Sequence, residues 1–277
     1  MSEFFLELFS EEIPAGLQKN LREKIFEDFK NLFEEKSIRS KKNFSFSTPN
    51  RLVLVFEGLD KQIKIKSKEI RGPKTSAPEQ ALEGFLRSNK INKKDLFKKK
   101  TEKDEFYFYK TVATSLKTHD LLTEFIPKIL SNYQWKKSMK WGEFDLNWGR
   151  PLKSILSIFD KKIVSFKFHH LTSSNLTFVD KDFEEKKRSF ENFKKYEKFF
   201  EDNGVIVNQN KRLKIINKSF LKILGKKGLK INENPKLMDE VVNLVDSPNV
   251  LLCKFDKKFL SVPNCLLYTS PSPRDIR

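Results

Sequence analysis

Phe4-Phe5-Leu6-Glu7-Leu8-Phe9, followed from Pro14 by Leu17, Leu21, Ile25, Phe29 and Leu32, is the stretch that decides the fold. Its first six residues are β-prone and nearly all apolar, which predicts an opening strand. Pro14 suits the first turn of a helix, where its missing N–H is no loss. The apolar residues after it recur at spacings of four, four, four and three, a single stripe along a helix that packs on a sheet. Leu52 to Phe56 form an apolar run of strand length ended by Gly58, and Ile63 and Ile65 alternate with Gln62 and Lys64 as in a half-exposed strand. Strand, helix, strand, strand begins an α+β fold.

Further along, Pro78 to Leu86 reads as a short helix and Phe106-Tyr107-Phe108-Tyr109 as a strand. Thr118 is placed to cap a helix bearing Leu121, Leu122, Phe125, Ile126 and Ile129, which Pro127 should kink or break. Ile163 to Phe168 alternates as a strand after a turn at Asp160-Lys161-Lys162. Past residue 180 the pattern becomes helical. Phe190, Phe193 and Phe200, then Leu213, Ile216, Phe220 and Leu224, then Leu237, Val241, Leu244 and Val245 define three amphipathic helices, with Gly204 and Gly225 as stops. The expected organisation is an N-terminal mixed sheet-and-helix body over residues 1–175, a helix-rich segment over 176–264, and a tail over 265–277. That tail has no Lys, Asn or Phe but two Pro and two Arg, so it reads as an unrelated addition, with a natural disordered terminus as the alternative.

The 277 residues suit about two domains. With 38% hydrophobic and 33% charged residues, the chain is expected to be soluble and folded. No run approaches the ~20 apolar residues of a membrane span, and Met1-Ser2-Glu3 lacks a secretion pattern, so a cytoplasmic protein is expected. Cys253 and Cys265 are too few for a disulfide framework or a zinc site, and no metal is expected. The 55 Lys and Arg against 37 Asp and Glu leave a charge of +18. Lys-, Asn-, Ile- and Phe-rich usage fits A/T-rich codons, which accounts for part of it. Its distribution says more: residues 1–60 carry 9 basic and 11 acidic groups, whereas residues 61–140 carry 20 and 9. Such a regional field points to a polyanion, with a solvated Lys-rich surface as the plainer reading.

Enzyme signatures fail on inspection. In Gly72-Pro73-Lys74-Thr75 the proline has no N–H to offer a phosphate, so the segment reads as a turn. His119-Asp120 has no companion ligands, since His169 and His170 are adjacent and on a strand would face opposite ways. Glu11-Glu12 reads as helix-end charge, and no nucleophile and base are paired by spacing. One concentrated segment remains. Tyr133, Trp135, Lys136, Lys137, Lys140, Trp141, Trp148 and Arg150 fall within 18 residues and include all three tryptophans. Rings interleaved with cations suit base stacking and phosphate neutralisation; a core of large rings with lysines outside suits them as well.

Ordered motifs then run through the chain: Leu6-Glu7-Leu8-Phe9-Ser10-Glu11-Glu12-Ile13-Pro14, Thr48-Pro49-Asn50-Arg51-Leu52, Arg71-Gly72-Pro73, Ala81-Leu82-Glu83-Gly84-Phe85, Lys137-Ser138-Met139-Lys140-Trp141-Gly142 and Arg150-Pro151. On these the chain resembles the beta subunit of the bacterial, heterotetrameric glycyl-tRNA synthetases, over nearly all of residues 1–264. Glu7, Glu11, Glu12, Pro14, Arg51, Arg71, Gly72, Trp141, Gly142 and Pro151 carry the match. One departure is Asn175-Leu176-Thr177-Phe178, where the family usually has Gly-His-Arg-Phe. The resemblance implies an editing-domain-like α+β body and a truncation at residue 264, ahead of an HD-type and an anticodon-binding domain. It also implies that glycine and ATP, with Mg, are used on a separate alpha subunit, so this chain has no cofactor and no catalytic residues. The partners it implies are that alpha subunit, in an assembly of two alpha and two beta chains, and tRNA(Gly), whose phosphates Lys136, Lys137, Lys140 and Arg150 would contact. A stand-alone basic RNA-binding module and a non-catalytic scaffold are the competing readings.

Overall fold

The computed structural model describes residues 2–65, 67, 69–89, 91–100, 104–111, 114–179, 186–231, 234–254 and 256–263. The tail at 265–277, with Cys265, lies outside them. The first half runs β1 (Glu3–Ser10), α1 (Ala15–Glu35), β2 (Lys42–Ser47), β3 (Arg51–Glu57), β4 (Gln62–Ile65), β5 (Glu69–Lys74), α2 (Glu79–Asn89), β6 (Leu96–Lys100), β7 (Glu105–Lys110), β8 (Thr114–Lys117) and α3 (Thr118–Asn132). Then come β9 (Leu152–Phe159), β10 (Lys162–Ile163), two short hairpins, α4 (Phe193–Asp202), α5 (Gln209–Lys227) and α6 (Pro235–Leu244). This is the α+β class that the opening stretch predicts.

A five-stranded antiparallel sheet, ordered β10-β9-β1-β3-β2, organises the body. β1 is central and, apart from Glu7, apolar from Phe4 to Phe9 because both its faces are covered. Phe4, Leu6 and Leu8 sit beside Phe56, Leu54 and Leu52 and bury against α1 and α3 through Leu21, Ile25, Phe29, Leu122 and Ile126. Phe5 faces the other way with Val53, Val55, Leu156 and Ile158, under Phe193, Tyr196 and Phe200 of α4. Residues on both sides of position 175 therefore build the second core. α4 is held at its start by Asn192, whose side chain accepts from the Lys195 N–H at 2.9 Å, and by Glu3, which accepts from the Phe193 N–H at 2.8 Å.

α5 and α6 join the body through a buried polar seam. Arg212, fully buried, donates to the carbonyls of Val242 at 2.9 Å, Ile206 at 2.5 Å, Val207 at 3.1 Å and Ser47 at 2.8 Å. Burial lowers its pKa to about 10, which leaves the guanidinium charged at neutral pH. Gln18 of α1 donates to the carbonyls of Ile13 at 2.9 Å and Asn243 at 2.8 Å. Each buried donor thus has a carbonyl to satisfy it.

Several expectations are corrected. α3 runs unbroken through Pro127, since Leu122, Ile126, Ile129 and Leu130 bury around it and outweigh the lost hydrogen bond. Thr118 is inside that helix, whose N-cap is Lys117; its hydroxyl donates to the Asp60 carbonyl instead. Ile163 to Phe168 is two separate pieces, β10 and a strand at Lys167–Phe168. His169 and His170 sit in the turn between Lys167–Phe168 and Leu171–Thr172, with His169 at φ 52°. α5 ends at Gly228, left-handed at φ 59°, while Gly225 is helical. Gly72, Pro73 and Lys74 belong to β5, at a bulge in its pairing with β7, where a missing N–H is tolerated. Phe190 precedes α4 rather than lying in it.

Candidate nucleic-acid interface and a buried ionic network

The motif segments meet at one end of the main sheet. Ser10 donates its N–H to the Asn50 carbonyl at 2.9 Å, Ile13 to that of Pro49 at 2.7 Å, and Glu11 to that of Pro151 at 2.9 Å. The Asn50 side chain returns a bond to the Ser10 carbonyl at 3.2 Å. Glu11 pairs with Lys153 at 2.5 Å, so it ties β1 to β9 rather than serving as helix-end charge. Glu12 is exposed in the same loop, just ahead of Pro14 at the N-cap of α1. Three motifs far apart in sequence thereby brace one another.

Behind this corner lies a network that residue spacing did not reveal. Glu7 projects from mid-β1 onto the face of Phe5, with no solvent exposure. Arg51, at the start of β3, reaches it through Nη1 at 2.5 Å and also donates to Thr177 Oγ1 at 3.2 Å and to the Phe178 carbonyl at 2.6 Å. The Tyr196 hydroxyl of α4 donates to the same Glu7 Oε1 at 2.5 Å. Phe9 and Phe200 flank the guanidinium, 4.4 and 4.3 Å from their ring centres. Burial works against the charge on Arg51, but the Glu7 carboxylate, Tyr196 and Asp246 together outweigh it and the pKa ends raised; burial, then the same carboxylate, pushes the Tyr196 phenol well up. Both groups keep their protons at any ordinary pH. The network thus fixes β1, β3 and α4, and it holds the segment in which Thr177 departs from the family pattern while Phe178 keeps it.

The aromatic and basic segment forms the connector between α3 and β9. Trp148 is buried, and Trp135 packs edge-on to it with ring centres 5.0 Å apart and edge-on to Tyr133 at 4.9 Å. Gly149 permits this: a Cβ there would lie 2.1 Å from the Trp135 ring. Met139 and Trp148 exchange backbone bonds at 2.8 and 3.1 Å, closing the connector on itself. Trp141 meets His170 edge-on at 5.8 Å, near Gly142 at φ 52°. The rings therefore pack against the core, and Trp148 in particular has no free face for a base.

The cations point outward. Lys136, Lys137 and Lys140 are exposed, with Lys140 3.8 Å from Asp145, while Arg150 is half-buried and donates to the Gly149 carbonyl at 2.9 Å. A cleft of about 450 Å³ opens between α1 and the connector, lined by Leu17, Asn20, Glu23, Tyr133, Trp135 and Lys136. Its lining is of mixed charge. Arg71 and Gly72 lie elsewhere, in the small sheet β5-β7-β6. There Gly72 faces Phe85 of α2, so the Arg71-Gly72-Pro73 and Ala81 to Phe85 motifs are partners in packing: a Cβ on Gly72 would stand 3.0 Å from that ring. Among the described residues, no cluster of three or more His, Cys, Asp and Glu is placed to hold a metal ion, and no helix is long and apolar enough to cross a membrane.

Comparison with known proteins is specific. A family model described as Glycyl-tRNA synthetase beta subunit matches residues 4–272 and so ends within the 265–277 tail. Among similar proteins, the glycine–tRNA ligase beta subunits of Rickettsia canadensis, Rickettsia felis and Rickettsia conorii are 37%, 36% and 38% identical over 270, 272 and 270 residues. These alignments cover 98% of this chain and 40%, 41% and 40% of the relatives, so the chain spans about two fifths of their length. Motifs that brace one another in space, matched in order across nearly the whole sequence, identify the chain as a member of the glycyl-tRNA synthetase beta subunit family.

Proposed function

We propose that this chain is the N-terminal part of a glycine–tRNA ligase beta subunit, which supports ATP-dependent attachment of glycine to tRNA(Gly) by binding the tRNA and a catalytic alpha subunit. The family match over residues 4–272 carries the reading. The exposed Lys136, Lys137 and Lys140, together with Arg150, supply the phosphate contacts, in the quarter of the chain with the strongest positive charge and just after it. Adenylate formation, with its ATP and Mg, belongs to the alpha subunit, and the assembly holds two chains of each kind.

The test is reconstitution. Alpha subunit mixed with the complete beta chain should charge tRNA(Gly), and beta alone should catalyse no glycine-dependent exchange of pyrophosphate into ATP. Exchange by beta alone would overturn the division of labour. A second reading, that the connector serves only to dock the alpha subunit, draws on the packing of Trp135 and Trp148. Hydroxyl-radical footprinting of tRNA on the assembled enzyme separates the two: protection lost on charge reversal at Lys136, Lys137 and Lys140 supports direct contact.

A further inference from the structure

The small sheet β5-β7-β6 has two unlike faces. Directly paired residues share a face, so the register Arg71↔Phe108, Phe97↔Phe108, Lys99↔Phe106 and Glu69↔Lys110 puts Arg71, Phe97, Lys99, Phe106, Phe108 and Lys110 on one side, together with one acid, Glu69. α2 takes the other, where Phe85 meets Gly72. On the face away from α2, Phe97 is 37% exposed and Arg71, Lys99 and Lys110 are exposed as well. The Phe97 and Phe108 rings lie nearly parallel, 27° apart with centres at 6.0 Å. Arg71 stacks on Phe106 at 3.6 Å and Lys99 stands 5.6 Å over Phe108. Acids are present but outnumbered: Glu69 pairs with Lys99 at 2.9 Å, and Asp104 with Lys74 at 2.6 Å.

Aromatic side chains cost free energy to leave in water, and cations crowded beside them repel one another. Both costs fall when the face meets a polyanion that also has flat π-faces. We infer that this sheet face binds an unpaired stretch of RNA, with bases stacking on Phe97 and Phe108 and phosphates meeting Arg71, Lys99 and Lys110. Duplex RNA buries its base faces in its own stack, so an unpaired strand is what the two rings fit. The inference rests on the tRNA-binding reading above and adds a second surface to it, on a different sheet from the connector.

The test is fluorescence anisotropy with a labelled single-stranded 12-mer of RNA. Phe97→Leu keeps an apolar residue at an exposed position but removes the π-face. It should weaken binding about 5-fold or more with no change in salt dependence. Arg71→Gln with Lys110→Gln should lower the slope of log affinity against log salt by about 1.4. An unchanged affinity for Phe97→Leu, at unchanged thermal stability, overturns the stacking surface, even where the charge variants weaken binding. Charge reversal at Lys136, Lys137 and Lys140, measured on a tRNA(Gly) transcript, tests the connector separately, so either surface can fail alone.

Discussion

At the residue scale, a charged pair in an apolar sheet face is tolerated only if every partner stays. Arg51→Met leaves Glu7 buried with its charge uncompensated, and thermal denaturation should show a loss of about 3–5 kcal/mol. Tyr196→Phe keeps the ring against Phe5 but removes one donor to Glu7, for about 1–3 kcal/mol. Arg51→Lys should recover little, because an ammonium cannot span Glu7, Thr177 and Phe178 as the planar fork does. His170 offers a titration. Its ring stacks on Phe144 with centres 3.7 Å apart, and burial lowers its pKa against an opposing backbone bond at Leu152. The folded state then prefers neutral His170. Its contribution is intact above the ordinary value of about 6.5 and is lost as pH falls below that, when the unfolded chain takes up the proton first. An NMR titration should place the His170 midpoint below 6.5, and Phe144→Ala should move it upward.

At the element scale, the glycines at the end of α5 separate helix interior from helix stop. Gly225 is helical, with no heavy atom within 4 Å of where an alanine methyl would sit, so Gly225→Ala should stabilise by about 0.5–1 kcal/mol. Gly228 is left-handed, so Gly228→Ala should destabilise by about 1 kcal/mol. Residue type alone suggests a helix stop at Gly225, and only the backbone conformation moves it to Gly228. Arg212→Ala strips donors from four carbonyls at once, and hydrogen exchange should report faster opening of α5 and α6 than of the main sheet. The helices are legible in the sequence because apolar residues at every third or fourth position leave few alternatives. β9 is not: Lys153, Ser154 and Ser157 interrupt Leu152 to Phe159, and only the neighbouring β1 shows that the segment is a strand. β2, at the sheet edge, hides its Phe44 and Phe46 among polar residues. The Glu7–Arg51–Tyr196 network joins residues separated by 44 and 189 positions, a relation that no local pattern encodes.

At the scale of the whole molecule, charge and apolar surface are unevenly shared. The α5–α6 end exposes Leu221, Ile231, Leu237 and Val241 around a groove of about 560 Å³. A patch of that kind should bind an apolar reporter dye, and Leu221→Lys with Leu237→Lys should abolish the signal without lowering Tm. The positive field lies in the second quarter of the chain, so salt should govern any RNA contact. The most direct measurement is the affinity for a tRNA(Gly) transcript across a salt series, comparing the unaltered chain with Lys136→Glu, Lys137→Glu, Lys140→Glu and Arg150→Glu combined. Weaker binding and a flatter slope are the predicted result; an identical slope for both proteins, or no binding by the unaltered chain, would contradict it.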